Sequence, residues 1–131
     1  MKQITLAAAL ALLSAPALAQ SPMSGDEFDA YATGKTLEFS SMGTPYGAEQ
    51  YLSGRRVRWA FSEDICMEGI WYQQGDEICF EYDDGTGPQC WRFYRDGAGI
   101  RAQFSGLSGT ELYEANQTDE PLACIAPNLG A

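Results

Sequence analysis

The sequence predicts an all-β domain: a small antiparallel meander of about eight strands, closed as an up-and-down barrel, with a short N-terminal helix. Short runs of alternating apolar and polar residues recur along the chain, and turn signals rich in Gly and Asp separate them at close intervals. No interval is long enough for the helices that connect parallel strands. A curved open sheet is the alternative, because a meander can leave its first and last strands unpaired.

The first 19 residues have the pattern of a cleavable signal peptide. Lys2 precedes an apolar run over residues 4–13, and Ala17-Leu18-Ala19 gives the small-x-small site that signal peptidase accepts. The run is shorter than the roughly 20 residues that span a membrane. We therefore expect residues 1–19 to be removed and residues 20–131 to form one periplasmic or secreted domain, without membrane insertion after cleavage.

A short helix is expected directly after the N-terminal tail. Ser24 and Glu27 have the spacing of a capping box, in which each side chain bonds to the backbone of the other residue. Phe28 and Tyr31 then fall on one face. The pattern predicts a helix over residues 25–33 that plugs or caps one end of the barrel.

The alternating runs predict which side chains face inward. Further strands are expected over Glu49–Leu52, Gly69–Tyr72 and Thr110–Glu114, and the polar segment Asn116–Ala131 is expected to be irregular. The inward aromatic residues would either fill the barrel or line a ligand pocket. The expected inward residues are Leu37, Phe39, Val57, Trp59, Phe61, Ile78, Phe80, Tyr82, Trp91, Phe93, Ile100, Ala102 and Phe104.

Four cysteines remain after cleavage, and in an oxidising compartment they are expected to form two disulfides. A hairpin turn near Asp84-Gly85 brings Cys79 opposite Cys90, provided that Pro88, which lacks an N–H, lies in a longer loop or a bulge. Cys66 would then pair with Cys124.

Catalytic residues of the common kinds are missing from the sequence. There is no histidine, no Cys-x-x-Cys pair and no glycine-rich phosphate loop. No cofactor and no metal are expected, and a non-enzymatic role is favoured. An alternative is a carboxylate-dependent hydrolase of cell-wall glycans, which needs two facing carboxylates. The candidates for that pair are Glu38, Glu49, Glu81 and Asp83.

The charge is strongly negative, with 18 acidic and 8 basic residues and a net charge of −10. Such a chain repels nucleic acid and favours cationic partners, although the charge also promotes solubility. Three arginines form the one basic cluster. Arg56 and Arg58 share one face of a strand, where pairing with acidic residues of neighbouring strands across the outer face is favoured. The alternative is that the cluster holds an anionic ligand, assisted by nearby tyrosines that are expected to be exposed. The candidate ligand-binding residues are therefore Arg55, Arg56, Arg58, Tyr46 and Tyr51.

Three stretches carry a resemblance to a group of proteins. They are Phe28-x-x-Tyr31-x-x-Gly34-Lys35-Thr36-Leu37, then Tyr46-Gly47-x-Glu49-Gln50-Tyr51-Leu52, then Trp71…Ile78-Cys79-Phe80…Cys90-Trp91. Over about residues 28–124 the chain resembles small secreted proteins of alphaproteobacteria. The resemblance implies export and no particular chemistry. The expected architecture is also similar to calycin-like barrels and to periplasmic barrels that inhibit lysozyme, as an analogy of fold alone.

Three functions are therefore open. The leading one is an exported, soluble, non-enzymatic binding or interaction module for a cationic protein, such as a lysozyme-like hydrolase. The second is a lipocalin-like carrier of a small apolar ligand, which requires a cavity of ligand size. The third is the carboxylate-dependent cell-wall hydrolase.

Overall fold

A computed structural model describes residues 14–15, 19–61 and 65–124. The predicted signal peptide, residues 1–19, lies almost wholly outside this part of the chain. Among the described residues, no helix has the length and apolar character needed to cross a membrane. The elements are α1 (Gly25–Ala32), β1 (Thr36–Ser41), β2 (Thr44–Leu52), a 3-10 turn (Ser53–Arg55), β3 (Arg56–Ala60), β4 (Met67–Gln74), β5 (Glu77–Tyr82), β6 (Gln89–Asp96), β7 (Gly99–Phe104) and β8 (Glu111–Thr118).

The eight strands form a closed antiparallel barrel, as predicted. Each strand pairs with the next in the chain, and β8 pairs back onto β1. The open-sheet alternative is therefore wrong. Closure leaves no free sheet edge, which removes the unpaired backbone groups that would otherwise invite aggregation.

The up-and-down order divides the connections between two ends of the barrel. Residues 42–43, 61–66, 83–88 and 105–110 connect strands at one end, which we call the open end. The remaining connections and α1 lie at the opposite end, which we call the helix end. This division decides which side chains can share a site.

Helix α1 begins at the capping box that the sequence predicts. The Glu27 backbone N–H donates to Ser24 Oγ at 3.1 Å, and the Ser24 N–H donates to Glu27 Oε1 at 3.3 Å. The helix ends at Ala32, one residue before the predicted end. Gly34 then adopts a φ of 89°, a left-handed conformation that lets the chain turn directly into β1.

The Phe28 ring is the plug that α1 inserts into the barrel. It is fully buried, and it packs edge-to-face against Tyr51, Trp71 and Phe80 with ring centroids 5.1 to 6.3 Å apart. A tilted contact with Phe93 at 4.5 Å completes the layer. The helix end is therefore filled by aromatic packing, which confirms the predicted position of the helix.

Polar contacts fasten the outer turn of α1 to the barrel. Arg55 lies 3.3 Å from an Asp26 oxygen and 3.6 Å from an Asp29 oxygen. On the other side, the Tyr31 hydroxyl donates to Glu114 Oε1 at 2.5 Å. These contacts join α1 to the turn before β3 and to β8, so the plug is held from both sides.

Both disulfides join the expected cysteines. Cys79 and Cys90 are direct neighbours across β5 and β6, with Cα atoms 4.0 Å apart. The pairing of these strands ends at Phe80 and Gln89, so Pro88 lies in the connection, where it leaves no ladder hydrogen bond unmade.

The second bridge, Cys66–Cys124, ties down the C-terminal tail. The tail starts at the helix end, where Thr36 Oγ1 donates to the Glu120 carbonyl at 2.7 Å. It then passes Gln50, whose side-chain oxygen accepts from the Leu122 N–H at 3.2 Å. Since Cys66 stands at the open end, the tail runs along the outer wall of the barrel from one end to the other.

The structure corrects two expectations about the strands. Residues 116–118 were expected to be irregular, but they extend β8 and pair with Thr36–Glu38. Their side chains are polar and show no alternation of apolar and polar residues, so the sequence pattern predicts no strand there. The strand forms nevertheless, because its pairing with β1 uses backbone hydrogen bonds. Phe61 was expected to face inward, but it lies just beyond β3 and is 57% exposed.

Replacing Ser24 with alanine is expected to destabilise the protein by about 1 kcal/mol, because the Glu27 N–H loses its acceptor. Urea unfolding followed by tryptophan fluorescence measures the difference. Ser53→Ala is the matched control, since Ser53 is exposed and no hydrogen bond of its hydroxyl is present among the described residues. Equal stability of the two variants would contradict a structural role for the cap.

Candidate functional site: the open end of the barrel

Exposed apolar side chains gather at the open end. Six large apolar residues of the described chain are exposed, and four of them belong to the open-end connections. These four, which we call the apolar rim, are Met42, Phe61, Ile65 and Leu107, and each is more than half exposed. The other two, Ile70 and Tyr113, lie on the outer wall. A clustered apolar surface of this kind is typical of a contact site rather than of a purely solvated surface.

An aromatic pocket opens inside the apolar rim. Its outer part is a group of three rings, Tyr46, Trp59 and Phe61, with centroids 5.4 to 5.8 Å apart. The cavity holds about 50 Å³. Since one water needs roughly 10–15 Å³ by this measure, about four water-sized groups fit. The other lining residues are Phe39, Tyr51, Met67, Phe80, Tyr82, Gln89, Trp91, Phe93, Ala102 and Leu112.

Two glycines on inward-facing positions shape this pocket. A side chain at Gly47 would collide with the Trp59 indole, and one at Gly69 would meet the Tyr82 ring at 2.8 Å. Both glycines therefore provide the space that these aromatic rings occupy. A glycine at an inward-facing position of a strand leaves space inside the barrel. Gly47 and Gly69 were therefore the sequence signal that could have predicted the pocket.

A carboxyl group is buried next to the pocket and is hydrogen-bonded to one of the lining residues. Glu49 is 2% exposed, and its Oε2 accepts a hydrogen bond from the Tyr82 hydroxyl at 2.6 Å. Burial raises the pKa of Glu49 to about 8, and hydrogen bonds from Tyr82 and Tyr51 oppose that rise only in part. No ion pair among the described residues includes Glu49. The interior thus contains an acid without a cationic partner.

The open-end connections are also acidic. By sequence they contain four Asp or Glu residues and no Lys or Arg. Two of the four acids, Asp83 and Asp84, are exposed in the described chain. The Thr86 backbone N–H and hydroxyl both donate to Asp84, which lowers the pKa of that carboxyl. The open end is therefore both apolar and negatively charged.

The three arginines proposed from the sequence do not form one binding site. Arg55 pairs with α1, as described above. Arg58 pairs with Glu68 directly across β3 and β4 at 2.6 Å, and Arg56 donates to the Ser53 carbonyl at 3.3 Å. All three lie on the outside of the barrel or at its helix end. Cross-strand pairing accounts for Arg58, while Arg55 is paired with the helix and Arg56 with a turn carbonyl.

The two tyrosines proposed with these arginines lie on the other side of the barrel wall. Tyr46 is half-buried at the mouth of the pocket. Tyr51 was expected to be exposed, but it is 2% exposed and packs against Phe28. The prediction was wrong because the inward phase of β2 includes Tyr51. Both tyrosines line the pocket and neither can reach the outer arginines.

The carboxylate pair required for glycan hydrolysis is not assembled from its four candidates. Glu49 faces the interior, while Glu38, Glu81 and Asp83 are exposed. Glu49 and Tyr51 are two residues apart in β2 and therefore point to the same, inward face. This spacing was the sequence signal that could have distinguished Glu49 as buried from the three exposed candidates.

A cluster of Glu77, Cys79 and Cys90 has ligand atoms within 4.8 Å, but both sulfurs are in a disulfide and offer no thiolate to a metal.

Comparisons of the chain with protein-family models, with curated proteins and with solved structures find no match, so its function is inferred from its own residues.

Proposed function

We propose that the protein is an exported, non-enzymatic binding module that recognises a cationic protein partner at the open end of its barrel. The observation that carries the proposal is the apolar rim around an aromatic pocket, placed where the connections are acidic. Two disulfides are typical of proteins in an oxidising compartment outside the cytoplasm, which supports a periplasmic or secreted location.

The size of the pocket favours a protein partner over a carried ligand. Pockets that enclose a drug-sized molecule measure about 300–1,000 Å³. The cavity here, at about 50 Å³, accommodates the end of one side chain. The apolar rim then supplies the surrounding contact area.

The charge distribution favours a basic partner. The open-end connections add local negative charge to a net charge of −10, so a basic protein is attracted from a distance and oriented toward this end. A lysozyme-like hydrolase is one partner with this chemistry. A glycan hydrolase activity of the chain itself has less support, because Glu49 has no second carboxylate facing it among the four candidates.

Titration calorimetry with a c-type lysozyme tests the proposal, and cytochrome c serves as a basic control of different fold. We expect lysozyme to bind at least tenfold more tightly than cytochrome c, with association weakened by added salt. Binding to lysozyme that is no stronger than binding to cytochrome c would reduce the interaction to general charge attraction and contradict this partner.

Variants of the rim locate the interface. Replacing Phe61 and Leu107 together with serine is expected to weaken the association at least tenfold, because both side chains are exposed and contribute contact area. Ile70→Ser is the matched control, since Ile70 is exposed on the outer wall, away from the open end. Equal losses in the two variants would place the interface elsewhere.

A further inference from the structure

We propose that the pocket at the open end binds an aliphatic ammonium group, as the end of a lysine side chain of the partner, with the Glu49 carboxylate as its counter-charge. This inference rests on the proposed function and specifies the group that enters the pocket. Three observations support it: the chemistry of the walls, the position of Glu49 and the volume of the cavity.

The walls are aromatic and suit a cation. Four of the aromatic residues that line the pocket are Tyr46, Trp59, Phe61 and Trp91. The faces of such rings attract an ammonium group by about 0.5–2 kcal/mol for each well-placed contact, most strongly when water is excluded. A purely apolar ligand would gain nothing from this electrostatic term.

Tyr82 connects the pocket to the buried carboxyl. Its side chain lines the cavity, and its hydroxyl donates to Glu49 Oε2. Since the same hydroxyl oxygen can accept a hydrogen bond, an ammonium group in the pocket would bond to Tyr82 while Glu49 balances its charge. A buried acid with no cationic partner is costly to retain in a barrel interior, and a cationic ligand gives it a function.

The volume agrees with a small cation on a narrow stem. An ammonium group is about the size of a water molecule, and room for about four such groups admits it together with the last methylenes of the chain. The acidic connections then guide the ligand to the mouth.

Binding displaces a proton from Glu49. Burial keeps the free carboxyl protonated at neutral pH, and a cation beside it favours the carboxylate, so one proton leaves to solvent as one ammonium enters. The groups that face this region are the hydroxyls of Tyr82 and Tyr51, with Glu114, Tyr31 and Asp84 as more distant neighbours. Affinity is therefore expected to rise with pH, approaching tenfold per unit below about pH 8, and then to level off.

The test uses NMR of the mature chain with butylammonium, a mimic of the lysine side chain, and 1-butanol as its neutral counterpart. We expect the indole N–H signals of Trp59 and Trp91 to shift on titration with butylammonium, at an affinity at least tenfold above that for 1-butanol. Trp71 is an internal control, because it contacts Phe28 and Arg55 at the helix end. Equal affinity for the two probes, or no shift of Trp59, would overturn the inference.

Replacing Glu49 with glutamine removes the negative charge and keeps nearly the same side-chain size. Glu49→Gln is expected to lower the affinity for butylammonium at least tenfold at pH 8, abolish its pH dependence and leave 1-butanol binding unchanged. Glu81→Gln removes the same charge from the outer wall and is expected to bind as the wild type does. Unchanged butylammonium binding in Glu49→Gln would overturn the inference.

The two proposals can fail separately. Lysozyme association that depends on the rim but not on Glu49, with no binding of butylammonium, would overturn the ammonium site and retain the interface. Binding of butylammonium in the pocket without any association of lysozyme would support the ammonium site and overturn the proposed partner.

Discussion

Replacing Glu49 with glutamine is expected to stabilise the protein by roughly 5 kcal/mol above pH 8 and to have little effect below pH 4.5. Unfolding exposes the carboxyl, which then ionises with its ordinary pKa of 4.5, whereas the pKa in the folded protein is about 8. Between these values the unfolded chain has lost a proton that the folded chain keeps. The free energy of unfolding therefore falls as pH rises, by about 1.4 kcal/mol per pH unit from this group.

Urea unfolding of the wild type and the variant at intervals from pH 4 to pH 9 measures this difference. Subtracting the two curves removes the contributions of the other titrating groups, which both proteins share. Glu81→Gln, which changes an exposed carboxylate, is expected to shift stability by less than about 0.5 kcal/mol throughout. A difference between Glu49→Gln and wild type that does not grow with pH would show that Glu49 is not buried as an unpaired acid.

Replacing Phe28 with alanine is expected to cost about 3–5 kcal/mol, because it removes the ring that fills the helix end. The four aromatic neighbours are held by the closed barrel and cannot collapse into the space. Helix α1 would lose its largest apolar contact with the barrel, so its amides should also exchange hydrogen faster.

Phe61→Ala is the matched control for Phe28→Ala. It removes the same ring from the open end, where Phe61 is more than half exposed, and is expected to cost less than about 1 kcal/mol. Both variants can be compared by urea unfolding at one pH. A loss below about 1 kcal/mol for Phe28→Ala would contradict the role of α1 as a plug.

Glu49→Gln is expected to change stability and ligand binding in opposite directions. The carboxyl weakens the folded state at neutral and alkaline pH, yet among the described residues it is the one buried acid beside the aromatic pocket, and it becomes the counter-charge when a cation binds. A glutamine there is expected to give a more stable protein that no longer prefers an ammonium group. Trade-offs of this kind are common where a functional group is held in an unfavourable environment.

The elements of the fold and their order could be predicted from local sequence patterns. Alternation in runs such as Leu37–Phe39 and Ile78–Tyr82 specifies strands with one buried face, and short turns between them leave antiparallel pairing as the available arrangement. The capping box at Ser24 and Glu27 lies within four consecutive residues, so the start of the helix can be predicted from the sequence. The Cys79–Cys90 disulfide follows from the register of the hairpin. Cys66 and Cys124 are then the two cysteines that remain to pair with each other.

The position of the candidate site, by contrast, depends on contacts between residues that are far apart in the sequence. Strand β8 closes the barrel through backbone bonds of residues 116–118, whose polar side chains predict no strand. Whether Glu49 is buried depends on the inward phase of β2 and on Tyr82 from β5, which is distant in sequence. The gathering of Met42, Phe61, Ile65 and Leu107 at one end depends on the order of all eight strands. Such features arise from long-range pairing, which local patterns do not encode.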